Sequence, residues 1–175
     1  MHNYNSGDVN TRRSYYGISG VPAAIVGGVD AGWPWDPVWG NFILARANAP
    51  AEADIAVTGF FDDISFEGAV TVDVAPLGGI SGNHALHVVL VEDDLYYMGS
   101  NGYPDHNAVM RDMFPSSSGT TINLTDGVIT STEVDFVVPE ADVNVENARL
   151  MIFVQNPSTK NILNAASVPV LSILA

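Results

Sequence analysis

From residue 53 onward the chain alternates. Ile55, Val57, Gly59 and Phe61 interleave with Asp54, Ala56, Thr58 and Phe60, and Ala69-Val70-Thr71-Val72-Asp73-Val74-Ala75 repeats the pattern. A period of two sends successive side chains to opposite faces, which is the mark of a strand with one face buried. A denser apolar run spans His84 to Val91, and further runs cover Ile122–Thr125, Glu133–Val138, Leu150–Val154 and Ile162–Leu174, broken by Gly, Pro, Asn and Ser. Seven such strands with no helical period between them predict an antiparallel, immunoglobulin-like β-sandwich over residues 53–175. The expected fold class is mainly β.

The first 52 residues read differently, as a short α/β segment. Asp8 to Tyr16 predicts a helix capped by Asp8 and ended by Gly17. Val21-Pro22 then leads into Ala23-Ala24-Ile25-Val26, an apolar run closed by Gly27-Gly28, which predicts a buried strand. After Trp33-Pro34-Trp35, Asp36 can cap a second helix with Pro37 at its first position, running through Trp39, Phe42, Ile43 and Arg46 to Pro50. Two units follow, 1–52 and 53–175.

Charge removes several functions. Twenty acidic residues against 6 Lys and Arg give a net charge of -14, so nucleic acid and anionic lipid surfaces are repelled. With 0 Cys there is no disulfide, thiolate zinc site or cysteine nucleophile. No run reaches the roughly 18 to 20 apolar residues of a membrane span, and Met1-His2-Asn3-Tyr4-Asn5 has neither the basic nor the apolar region of a signal peptide, so a soluble chain is expected.

Two ordered blocks carry a family likeness. Tyr15-Tyr16-Gly17-Ile18-Ser19-Gly20-Val21-Pro22, followed by Ala23-Ala24-Ile25-Val26-Gly27-Gly28, resembles a thioredoxin cis-proline turn. Farther on come His87-Val88-Val89-Leu90-Val91-Glu92-Asp93, Tyr96-Tyr97, His106, Val109-Met110-Arg111-Asp112-Met113, Pro115, Phe153-Val154-Gln155-Asn156 and Thr159-Lys160. Together, over residues 8 to 166, they resemble bacterial secreted or surface proteins related to the 28-kilodalton outer-membrane protein, in which a thioredoxin-like domain precedes a β-sandwich. The resemblance implies that Pro22 is the cis-proline and that the chain works outside the cell or on its surface. The strand-helix-strand that normally carries a Cys-x-x-Cys pair is missing from the likeness. The leading segment is then either part of a longer thioredoxin-like unit or is recruited to cover the sandwich or a neighbouring subunit.

Candidate sites divide into ion pairs, metal ligands and assembly surfaces. Glu92 and Arg111 are expected to pair, either as an internal salt bridge pinning the 93–112 excursion or as a clamp for a ligand carboxylate. His84, His87 and His106 could be metal ligands, but on a strand residues 84 and 87 point to opposite faces, so a structural or exposed role is favoured for them. Asp93, Asp94 and Asp105 lie near strand ends and could hold calcium, although the twelve-residue calcium-loop spacing is absent. Trp33, Trp35 and Trp39 overload a segment too short to bury them and call for a receiving surface. Val170, Leu171 and Ile173 lie in an uncharged apolar tail suited either to a final strand of the same sandwich or to strand addition onto a neighbour.

Catalytic motifs are missing. The sequence has no Gly-x-Ser-x-Gly elbow, phosphate-binding glycine loop or His-Glu-x-x-His. The expectation is a non-catalytic extracellular module for surface binding or self-assembly, with a homo-oligomer, a protein or a glycan as partner and calcium as the one candidate cofactor. Its rivals are part of a thiol-disulfide oxidoreductase and a calcium-dependent adhesin.

Overall fold

The computed structural model describes residues 5–32, 38–99 and 102–173. Helix α1 spans Ser6–Tyr16. Its cap is Asn5, whose Oδ1 accepts the Asp8 backbone N–H at 3.1 Å, so Asp8 is not the cap but a carboxylate in the first turn, where the helix dipole favours it. Gly17 ends the helix in the left-handed conformation, and the N–H groups of Gly17 and Ile18 return to Ser14 and Arg13. The Val21–Pro22 bond is cis. The buried strand expected at 23–26 shrinks to a tight hairpin, β1 Ile25–Val26 with β2 Val29–Asp30, because Gly27-Gly28 reverses the chain before it can reach the core. Helix α2 covers Val38–Ala47; its predicted start at Asp36 and Pro37 lies outside the described residues.

The sandwich follows. Strands β3 Ala53–Asp62, β4 Glu67–Pro76 and β10 Thr130–Val137 form one antiparallel sheet in the order β10-β4-β3. The other sheet is built on β5 Gly82–Glu92, with β11 Ala148–Gln155 and β12 Ile162–Pro169 on one side. On its other side β9 Thr120–Leu124 pairs the first half of β5 and β8 Val109–Phe114 the second half. A short hairpin, β6 Leu95–Tyr96 with β7 Asp105–His106, projects between β5 and β8.

Alternate residues fill the space between the sheets: Val70, Val72 and Val74 face Leu86, Val88, Leu90, Leu150 and Ile152, all with no exposed surface. The run at 84–91 is apolar without alternation because β5 is covered on both sides. Leu86, Val88 and Leu90 enter the core, while Val89 and Val91 join Met113, Met151 and Phe153 on the outer face. The last predicted strand stops early. Pro169 has no N–H for the ladder, and a 3-10 turn over Val170–Ile173 sends Val170 and Ile173, three residues apart, into the same core.

Candidate functional site: the seat of the first helix

The outer face of the larger sheet carries a buried polar group at the end of β5 and β11. Gln155 is 1% exposed and sits at a bulge in the β11–β12 pairing. Its Nε2 donates to the Tyr16 hydroxyl at 2.8 Å and to the Lys160 carbonyl at 2.7 Å, and its Oε1 accepts from Arg12 Nη2 at 3.0 Å. The same Arg12 nitrogen donates to the Tyr16 hydroxyl at 2.9 Å, and Nη1 reaches the Ser117 carbonyl at 3.5 Å. Lys160 Nζ donates to the Tyr15 carbonyl at 2.7 Å. The Arg12 guanidinium lies 4.7 and 5.0 Å from the ring centres of Tyr15 and Tyr16, within cation–π range. α1 is thereby tied to the sheet by side chains that the sequence separates by more than 100 residues. Its other end is held by Asn5, whose Nδ2 donates to Asp112 Oδ1 at 2.8 Å; burial pushes the Asp112 carboxyl up.

His87 lies beneath this group. It is 1% exposed and stacks on Phe153, with ring centres 4.7 Å apart and planes 22° from parallel. Burial first, and the Arg12 charge second, push its pKa down to about 4, so the imidazole is neutral at neutral pH. The 116–119 turn closes over it, and a Cβ on Gly119 would fall 2.9 Å from His87 Nδ1. Between helix, turn and sheet remains a cavity of about 150 Å³.

The structure brings Glu92 and Arg111 together at 2.8 Å, both almost fully buried. The Asn144 N–H donates to Glu92 Oε1, and Arg111 donates to the Asp142 carbonyl, so the pair pins the 142–144 segment to the sheet's edge as an internal bridge. His84 and His87 occupy opposite faces of β5, and His106 Nε2 meets the Tyr97 carbonyl at 2.9 Å, far from either role as a shared ligand. Asp93, Asp94 and Asp105 do not gather. Arg149 engages both Asp93 oxygens at 2.7 and 3.2 Å, Asp94 offers its backbone N–H to Asn107, and no group of three His, Asp or Glu suited to a metal occurs among the described residues. The Arg149 hydrogen bond, then that from the Ala108 N–H, hold the Asp93 carboxyl below its usual range.

The assembly residues split. Val170 and Ile173 are in this chain's own core with Leu171 packed against it, so the tail is not offered to a neighbour's sheet; three-residue spacing in the 3-10 turn overrides the strand expected there. Trp39 donates its indole N–H to the Gly32 carbonyl at 3.1 Å and is half-buried, whereas Trp33 and Trp35 lie outside the described residues. α2 itself contains no buried residue: Phe42, Ile43 and Leu44 are 38%, 55% and 62% exposed. Arg46 alone reaches across, donating to the Ile162 and Leu163 carbonyls over a cleft of about 460 Å³ lined in part by Ile43 and Leu163.

Sequence reasoning passed over Arg12, Tyr16, Gln155 and Lys160 as a group. Phe153-Val154-Gln155-Asn156 and Lys160 enter only through the family likeness, and no local pattern pairs them with Arg12.

Comparison with known proteins agrees with this architecture. The family described as Outer membrane protein Omp28 matches residues 9–171. HBP35 of Porphyromonas gingivalis superposes with a TM-score of 0.74 at 13% identity, over 95% of this chain and 58% of that one. A domain of the outer membrane lipoprotein Omp28 from the same organism superposes with a TM-score of 0.52 at 19% identity, over 70% of this chain and 90% of that one. At such identities the likeness to solved structures is one of fold, and the chain spans little more than half of the HBP35 chain. No curated protein matches it in sequence.

Proposed function

The chain belongs to the Omp28 family of outer-membrane proteins, and from that premise we propose that it is a non-catalytic cell-surface module that associates through its leading segment with a second copy of itself. Family membership gives the surface location. The sequence supplies none of the compact catalytic motifs that would argue for chemistry there.

One observation carries the reading: α2 is apolar yet holds no buried residue, with Phe42, Ile43 and Leu44 turned to solvent. An exposed apolar patch of this kind marks an interaction surface. The partner follows from charge. Each copy carries -14, so most approaches bring carboxylate against carboxylate, but residues 38–51 contain Arg46 and no acid. Two copies meeting there avoid that repulsion.

Light scattering at micromolar concentration tests this. The expected result is a mass above that of one chain for the wild type and a single-chain mass for Leu44→Asp. A wild-type protein that stays a monomer, or a variant that associates as strongly, overturns the proposal.

A further inference from the structure

We propose that the cavity beneath α1 binds a small monocarboxylate, of about the size of propionate, with Arg12 as the anion contact and His87 at its floor. The volume of about 150 Å³ is several times a water molecule's share of about 30 Å³, and the walls combine donors with apolar surface. Arg12, Ser117 and Ser118 line it with polar groups, and Ala85, Tyr15 and Pro157 offer carbon to a short alkyl chain.

An unpartnered buried imidazole and a guanidinium both line this space. His87 is 1% exposed, and its Nδ1 has no hydrogen-bond partner among the described residues, an arrangement that is costly when left unmet. Arg12 supplies the positive charge. Arg111 and Arg149 each hold a carboxylate at 2.8 and 2.7 Å, whereas Arg12 meets only neutral acceptors: the Tyr16 hydroxyl, the Gln155 amide oxygen and the Ser117 carbonyl. Arg46 is likewise half-buried and meets only carbonyls, but Arg12 is the guanidinium that lines this cavity beside His87. A planar carboxylate matches its fork of donors. One guanidinium beside a neutral imidazole suits a single negative charge better than a doubly charged phosphate.

The full chain, ¹⁵N-labelled at histidine and titrated with sodium propionate at constant ionic strength, tests the site, with the other histidine rings as internal controls. The expected result is a saturable shift confined to the His87 ring. Binding should weaken about tenfold or more in Arg12→Gln, through the lost charged hydrogen bond. Ala85→Leu, which fills the cavity without touching its charge, should lose binding too, so the test survives if one variant fails to fold. No saturable shift in the wild type, an equal response to chloride or phosphate, or binding that persists in both variants overturns the proposal.

Discussion

α1 meets the sandwich through polar atoms placed on buried strands, while α2 meets the edge strand β12 of the same sheet through Arg46. Tyr16, Arg12 and Gln155 bind one another at 2.8 to 3.0 Å over a sheet face that also buries His87. Phe42, Ile43 and Leu44 have apolar side chains and no comparable seat. Neither helix contains a buried residue, yet the polar helix is tied to the sheet by a set of side-chain hydrogen bonds and the apolar helix by its arginine. Attachment therefore follows the availability of matched partners, not hydrophobicity alone: a hydrogen-bonded seat fixes α1 in register, and an apolar helix without a receiving surface keeps its binding capacity for another molecule. The β1–β2 hairpin lies between the two helices and joins the sandwich through backbone, with the Ile162 N–H donating to the Gly27 carbonyl at 3.1 Å.

Breaking that hairpin contact gives the largest expected effect. Gly28 has φ +92°, and a Cβ placed on it would lie 1.7 Å from the Lys160 carbonyl oxygen and 2.6 Å from its carbon. Both obstacles are backbone and cannot rotate away. Gly28→Ala combines a clash with a conformation hostile to a side chain and should cost roughly 4 kcal/mol in chemical denaturation. It should also speed hydrogen exchange at Ile162. If the comparison is right, the Lys160 turn moves and the α1 seat loosens with it, since Gln155 donates to the same Lys160 carbonyl. A variant as stable as wild type would show that the hairpin is not anchored there.

The second test separates the helices by pH. His87 has a folded-state pKa near 4 against an ordinary 6.5, so between those values the unfolded chain takes up a proton that the folded chain refuses. Its contribution is complete above about pH 6.5 and is lost as the pH falls through about 4. The shift corresponds to on the order of 3 kcal/mol. Wild type should lose that much more stability across the window than His87→Phe, which keeps the stack on Phe153 and cannot titrate. Equal losses in the two proteins would mean that His87 is not held neutral beneath α1.

The same contrast explains what could be read from the sequence. Strand alternation depends on neighbours one and two residues away, so β3, β4 and β10 are legible as local pattern, and β5 as a denser apolar run whose two covered faces only the structure shows. The end of β12 is not, because Pro169 and the 3-10 turn exchange a spacing of two for one of three while the residues stay apolar. β8 escapes the alternation rule because Arg111 faces Glu92 in a buried pair, so a charged residue stands where the period asks for an apolar one. The Glu92–Arg111 pair is nonetheless legible, since so few cations are available to so many carboxylates. The α1 seat is not: Arg12 meets Gln155 across 143 residues, and only the folded sheet brings them together.

The smallest expected effect is on stability at α2, and it sharpens the comparison most. A leucine in a core loses about 2 to 5 kcal/mol on truncation because contacts and cavity terms add. Leu44 is 62% exposed on a helix with no buried residue, so the folded chain has little to lose there. Leu44→Asp should therefore change the unfolding free energy of the dissociated chain by no more than about 0.5 kcal/mol, the range of an ordinary surface substitution. The same change should remove self-association, because a carboxylate enters an interface otherwise free of acid. Measured at concentrations where wild type is also monomeric, equal stability with lost association separates an external surface from a structural one. A loss comparable to a core truncation would instead mean that α2 packs as part of this chain's own fold.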